Sequence, residues 1–201
     1  MDKVVRLVRH AESAANAGLV TTAPDTIPMV DHWRTQAISL AQTKPVVPEL
    51  IVSSPLKRAM ATALPTVNRF GHMPMEIWAV EEFTYLCLGR FAGPTQADRK
   101  PMADAYWQLG DMKSIDGPGA ECFFDLLLRA KIMLDRLATS EADTVLVFSH
   151  GQFIRAVAWF IRHGQDAGTP ENMRLFRTLD TKDPLRIAQG TILGSVMVGG
   201  K

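Results

Sequence analysis

The chain has 201 residues, with 22 Lys and Arg against 21 Asp and Glu, for a formal net charge of +1. That length favours one domain with a sizeable buried core, here expected to span 1–201 with a small cap segment around 81–118. Near-neutral charge argues against bulk electrostatic binding to nucleic acid or an anionic membrane, so any anion-binding role falls to a local cluster.

The chain starts with Val4 to Val8, an apolar run broken by Arg6, which suits a strand covered on both faces. "HAESAANAGL" follows as a polar turn, and "TTAPDTIPMVD", with two prolines, as a loop. "HWRTQAISLAQ" predicts a helix closed by Pro45 and Pro48. "ELIVSSP" is a short strand, and Pro55 opens the helix "LKRAMATALPTVNRF". "MEIWAV" predicts a third strand leading into Glu81 and Glu82, and "ADAYWQLGD" a further helix. "ECFFDLLLRAKIMLDRLAT" is the longest helix, with Phe124, Leu127, Leu128, Ile132 and Leu134 expected on its apolar side. "DTVLVFSHG" is a buried strand, "QFIRAVAWFIRHG" a helix stopped by Gly164, and the tail a charged, proline-containing loop before the strand "GTILGSVMV". Strands alternating with helices predict an α/β fold, a largely parallel sheet with helices on its faces.

Two cysteines, Cys87 and Cys122, form neither a CxxC motif nor a disulfide framework, which suits a reducing cytoplasm. The N-terminus lacks the apolar stretch of a signal peptide. No run approaches the ~18 apolar residues that span a bilayer, so the expectation is a cytoplasmic protein with no membrane partner.

Open parallel sheets bind ligands beyond the carboxyl ends of their strands. There the sequence puts Arg9 and His10 after the first strand and Ser53, Ser54 and Arg58 after the second. Glu81 and Glu82 follow the third, and His150 and Gly151 follow "TVLVFS". Arginine holds phosphate with paired donors, and the helix start near Pro55 adds its positive end. Cations around a histidine favour its neutral form, a competent nucleophile toward phosphorus, and a nearby carboxylic acid can protonate the leaving oxygen. Singly each residue has a plainer reading: a solvated arginine, a core histidine, loop carboxylates. Jointly they predict phosphoryl transfer without a cofactor or metal. The "HAE" at His10 to Glu12 lacks the P-C-x-x-C half of a zinc deaminase signature. HExxH, G-x-S-x-G, P-loop and GxGxxG motifs are absent, and His32, His72 and His163 read as surface histidines.

"LVRHAES", "SSPLKRAMATA" and "VLVFSHG", in that order, resemble the histidine phosphatase superfamily, the phosphoglycerate-mutase-like proteins. Asn16, Gln36-Ala37 and "GAEC" at Gly119 to Cys122 are weaker echoes. The resemblance implies a three-layer sandwich with a mostly parallel mixed sheet. It implies that His10 is the phosphorylated nucleophile, that Arg9, Arg58 and His150 hold the phosphoryl oxygens with Asn16 and Gly151, and that no metal is needed. The acid would be Glu82, with Glu81 as fallback. Ala11 replaces the family's glycine, Trp33 stands where a glycine precedes "QA", and "LCLGRFAGPTQADRK" replaces the G-x-W-E-G stretch.

The expected function is hydrolysis of a small or peptidyl phosphomonoester through a phosphohistidine. A mutase-type phosphotransferase and a silent phospho-ligand-binding protein are the alternatives. Substrate selection is expected between Phe83 and Ala103, at Tyr85, Arg90, Arg99 and Lys100, and around Arg174 and Arg177. An uncovered C-terminal edge strand would allow a homodimer.

Overall fold

The computed structural model describes residues 3–20, 25–43, 47–71, 73–90, 95, 97–182 and 192–198. Five strands form one sheet: β1 (Lys3–Arg9), β2 (Leu50–Ser53), β3 (Met75–Ile77), β4 (Thr144–Ser149) and β5 (Ile192–Val198). Their order is β3-β2-β4-β1-β5. The first four run parallel, and β5 pairs antiparallel with β1 at the edge. The sheet is therefore mixed and mostly parallel, as expected, and β4 is central.

Alternate residues of the inner strands feed two cores, because successive side chains of a strand point to opposite faces. Val5, Leu7, Leu50, Val52, Val145 and Val147 face a core closed by α4 (Phe123–Thr139), α5 (Gly151–His163) and α6 (Pro170–Lys182). Val8, Ile51, Leu146 and Phe148 face a second core with Leu40 of α1 (Trp33–Gln42) and Ala63 of α2 (Lys57–Phe70). Helices on both faces bury both sides of the strands, which is why the strands read as continuous apolar runs.

Four expectations are corrected. The third strand ends at Ile77; the Trp78 N–H still donates to the Ser53 carbonyl (3.0 Å), and Trp78 and Val80 stay buried. A helix, α3 (Lys100–Leu109), starts three residues before the expected one, with Pro101 in its first turn. The region after Gly168, expected as loop, is α6. Its start is written in the sequence: the Thr169 side chain accepts from the Asn172 N–H (3.2 Å) and Pro170 takes the first helical position. Met173 and Phe176, one turn apart, are both buried in the core.

The fourth correction concerns α4. Its buried stripe is Phe123, Leu126, Leu127, Ala130, Met133 and Leu137. Phe124, Leu128 and Ile132, expected inward, are 44%, 43% and 55% exposed. The helix carries two apolar stripes, and α5 packs on one of them. His32 is paired with Glu12 (2.7 Å), His163 lies against the Trp159 ring, and His72 lies outside the described residues. Among the described residues no helix is long and apolar enough to cross a membrane.

Candidate active site

Register brings the two motif histidines together. β1 and β4 are parallel neighbours with Arg9 opposite Ser149, so His10 and His150 leave the sheet side by side. The His10 N–H donates to the Ser149 carbonyl (3.0 Å), and the two imidazole centroids are 5.0 Å apart. β2, on the other side of β4, delivers Ser54, whose N–H donates to the Phe148 carbonyl (2.9 Å).

His10 is almost fully buried and held at both nitrogens. Nδ1–H donates to the Ala11 carbonyl (2.7 Å), and Nε2 accepts from Arg58 Nε–H (3.3 Å). The Ala11 N–H in turn donates to Thr62 Oγ1 (3.0 Å), and the Thr62 hydroxyl donates to the Arg58 carbonyl (2.7 Å). The turn after β1 is thereby fastened to the first turn of α2, which carries Arg58. Burial first and then the Arg58 charge lower the His10 pKa to about 3, against the opposing bond to Ala11 and with a smaller lowering by Arg9. Nε2 therefore keeps its lone pair at neutral pH.

His150 is fully buried. Its Nε2 lies 2.8 Å from Ser54 Oγ, which accepts from the Leu56 N–H (3.2 Å). Its Nδ1 has no partner among the described residues. Burial, followed by the Arg58 charge, drives its pKa well below the ordinary value.

These two histidines make a specific pH dependence. Both take up a proton near pH 6.5 in the unfolded chain but stay neutral when folded. Below pH 6.5 the unfolded state binds protons that the folded state refuses, so stability falls as pH falls toward the folded value. Each histidine contributes up to about 1.4 kcal/mol per pH unit in that window. Urea unfolding between pH 7.5 and 5, above the main carboxylate range, is expected to show this decline. Stability that stays flat across those values would contradict the neutral, buried pair.

The two carboxylates part company. Glu82 Oε1 accepts from the Gln152 N–H (2.9 Å), at the start of α5, and from the Phe83 N–H (3.1 Å). It lines the same cleft as His10. Glu81 turns to Arg129 on α4 (3.4 Å) and is absent from the described lining of that cleft. Arg129 also donates to the carbonyls of Ala79 (3.1 Å) and Glu81 (3.2 Å) and grips both oxygens of Glu121. Phe83 packs edge-on against Trp107 and Phe123. Arg129 and Phe83 so fix the segment that aims Glu82. In sequence Arg129 is one more charge on a helix, and nothing there marks it.

The cleft has a volume of about 770 Å³. Arg9, His10, Asn16, Arg58, Glu82 and Gly151 all line it. The Arg9 guanidinium lies against the start of α5, where a Cβ on Gly151 would touch it at 3.5 Å. Asn16 Oδ1 accepts from the Ser13 N–H (3.2 Å) and hydroxyl (2.9 Å), which commits its oxygen. Tyr85, Arg99, Lys100 and Arg177 line the cleft as well. Arg90 does not, being paired with Asp116 (3.3 Å), and Arg174 packs against Gly110. Arg155, unmarked in the sequence reading, joins the lining. Its signal was available: it stands four residues after Gly151, on the same helix face.

A family model described as histidine phosphatase superfamily (branch 1) matches residues 5–181. No curated protein matches the chain. Among solved structures, a mycobacterial glucosyl-3-phosphoglycerate phosphatase complexed with VO3 is similar, with 26% identity and a TM-score of 0.65. That match covers 84% of this chain and 85% of the other. A putative alpha-ribazole-5'-P phosphatase from Escherichia coli superposes with a TM-score of 0.66 at 21% identity, covering 85% of this chain and 83% of its own. A phosphoserine phosphatase from Entamoeba histolytica gives 0.66 at 20% identity, over 98% and 95%. The last two likenesses speak to the fold alone.

Proposed function

The chain belongs to the histidine phosphatase superfamily, and on that premise we propose that it hydrolyses phosphomonoesters through a phosphohistidine on His10. The observation that carries the reading is the convergence of a neutral, buried His10 Nε2 with Arg58, Arg9 and Glu82 on one cleft. The mycobacterial phosphatase solved with VO3 supports the choice of a phosphoryl ligand.

Each step then uses a group already in place. An incoming dianionic phosphoryl group draws Arg58 away from His10 Nε2 to its own oxygens, joined by Arg9. In the tautomer in which the Ser54 hydroxyl donates to His150 Nε2, its oxygen still accepts from the Leu56 N–H. Under that arrangement His150 carries its proton on Nδ1, ready for a phosphoryl oxygen. Asn16, its oxygen already taken, offers its NH2 group.

His10 Nε2 attacks phosphorus and the P–O bond to the leaving alcohol breaks. Glu82, acting as the general acid, supplies a proton to that oxygen. Positive charge on the imidazole is met through Nδ1–H by the Ala11 carbonyl. A water then attacks the phosphoryl group, its proton returns to Glu82, and the P–N bond breaks. No step of this reading is routed through a metal.

The test is to incubate the protein with phosphomonoesters in excess chelator and to follow both inorganic phosphate and isomerised ester. Stoichiometric phosphate with recovery of the alcohol is the expected result. Isomerised ester without phosphate would make it a mutase, and neither product would leave a binding protein.

A further inference from the structure

The carbonyl that receives His10 Nδ1–H belongs to the peptide unit between Ala11 and Glu12. The N–H of that same unit, on Glu12, donates to Gln36 Oε1 at 2.8 Å. A backbone N–H can only donate, so the amide oxygen of Gln36 is the accepting atom. The two bonds sit at opposite ends of one planar group and form a relay from α1 to the imidazole. An acceptor drawing on the N–H raises the negative charge on the carbonyl oxygen, and hydrogen bonds linked in this way strengthen one another.

The neighbouring peptide units are held by other groups. The Ala11 N–H goes to Thr62, the Ser13 N–H to Asn16, and the Glu12 carbonyl accepts from the Val30 N–H (3.2 Å). Among the described residues, Gln36 is the side chain bonded to the N–H end of the unit that orients His10. Helix α1 sets its direction, since it buries Ala37, Leu40 and Ala41 and leaves Gln36 half-buried beside that stripe. His32, one turn earlier, takes the Glu12 carboxylate (2.7 Å). So α1 meets residue 12 twice, at the side chain through His32 and at the backbone through Gln36.

In the free protein the His10 ring has a second restraint, the bond from Arg58 Nε–H to its Nε2. That bond is given up when Arg58 turns to the phosphoryl oxygens. The bond from Nδ1–H to the Ala11 carbonyl then carries the orientation of the ring, and it tightens as the imidazole gains positive charge.

We propose that Gln36 is a positioning residue for His10, holding and polarising the Ala11–Glu12 peptide so that its carbonyl aims the ring and meets the charge of the transition state. The proposal rests on the phosphatase reading for the moment at which the relay acts. The relay itself belongs to the folded chain without substrate.

Gln36→Ala removes the acceptor and puts a strong helix former at a half-buried helix position, so the fold is expected to stand. Proton NMR reads the relay directly. Burial of His10 slows exchange of its Nδ1–H, whose resonance is identified by its loss in His10→Ala. In Gln36→Ala that resonance is expected to move upfield, as the bond to Ala11 weakens.

Turnover of p-nitrophenyl phosphate reports the attack of His10, because its leaving group departs without an acid. Gln36→Ala is expected to lower kcat about tenfold with KM changed by less than about twofold, the scale of one hydrogen bond felt in the transition state. Gln36→Glu, which keeps an accepting oxygen at the same reach, is expected to restore kcat to within about threefold of the wild type on that scale. His32→Ala, which frees the Glu12 side chain and spares the peptide, is expected to leave both kcat and the resonance in place. An unmoved Nδ1–H resonance in Gln36→Ala overturns the proposal. So does a loss of kcat that Gln36→Glu does not restore or that His32→Ala equals. Failure of the wild-type protein to release phosphate would sink the phosphatase reading and leave the resonance to decide the role of Gln36.

Discussion

His10→Ala is expected to lower kcat/KM on phosphomonoesters by roughly four orders of magnitude or more, the scale on which loss of a covalent nucleophile acts. The size follows from the site. His150 is not expected to substitute as nucleophile, because its Nε2 is engaged with Ser54 and it is not among the described lining residues. Water attacking directly would face the same phosphoryl group without the Nε2 lone pair that burial and Arg58 keep free of a proton. A rapid-quench experiment with labelled ester supplies the matching positive evidence: an acid-labile, alkali-stable phosphoryl adduct on the wild-type protein, lost in the variant. Near-normal hydrolysis by His10→Ala would refute the nucleophile and the mechanism built on it.

The second large effect belongs to Glu82. Glu82→Gln keeps the shape and the bonds from the Gln152 and Phe83 N–H groups to the side-chain oxygen, but it cannot donate a proton in the same way. The loss is expected to be about 10²–10⁴-fold on alkyl phosphates, whose leaving oxygen needs protonation. On an aryl phosphate with an acidic phenol, which leaves unprotonated, the loss is expected to be much smaller. Glu81→Gln should show no such dependence, since Glu81 belongs to the Arg129 cluster on the other side of the segment. An equal loss on both ester types for Glu82→Gln, or a leaving-group dependence at Glu81, would reassign the acid.

These two residues show how unevenly the site could be read from the chain. His10 was legible because a buried strand has one exit, and the residue after it must face the end of the sheet. The pairing of β1 with β4 then put His150 beside it. Glu81 and Glu82 were not separable by any such rule. They are adjacent, both polar and both past the end of β3, where strand alternation no longer applies. The difference lies in Arg129, 48 positions along the chain from Glu81, whose side chain holds Glu81 together with Glu121 and two carbonyls and leaves Glu82 to line the cleft.

The helices divide along the same line. That residues 123–139 form a helix was plain from local spacing, yet its buried side was not. Helical periodicity gives directions about the helix's own axis, and two apolar stripes on one helix look alike until a neighbour covers one. α6 carries a local start signal in Thr169 and Pro170, while the charged residues after them read as loop.

By itself, then, the sequence determined the alternation of strands and helices and the residue types at the strand ends, because backbone geometry and burial act on near neighbours in the chain. Tertiary structure alone decided which glutamate lines the cleft with His10 and which arginines share it. Charges choose partners by distance through space, and that distance is set by how β1, β4, α4, α5 and α6 pack rather than by spacing along the chain.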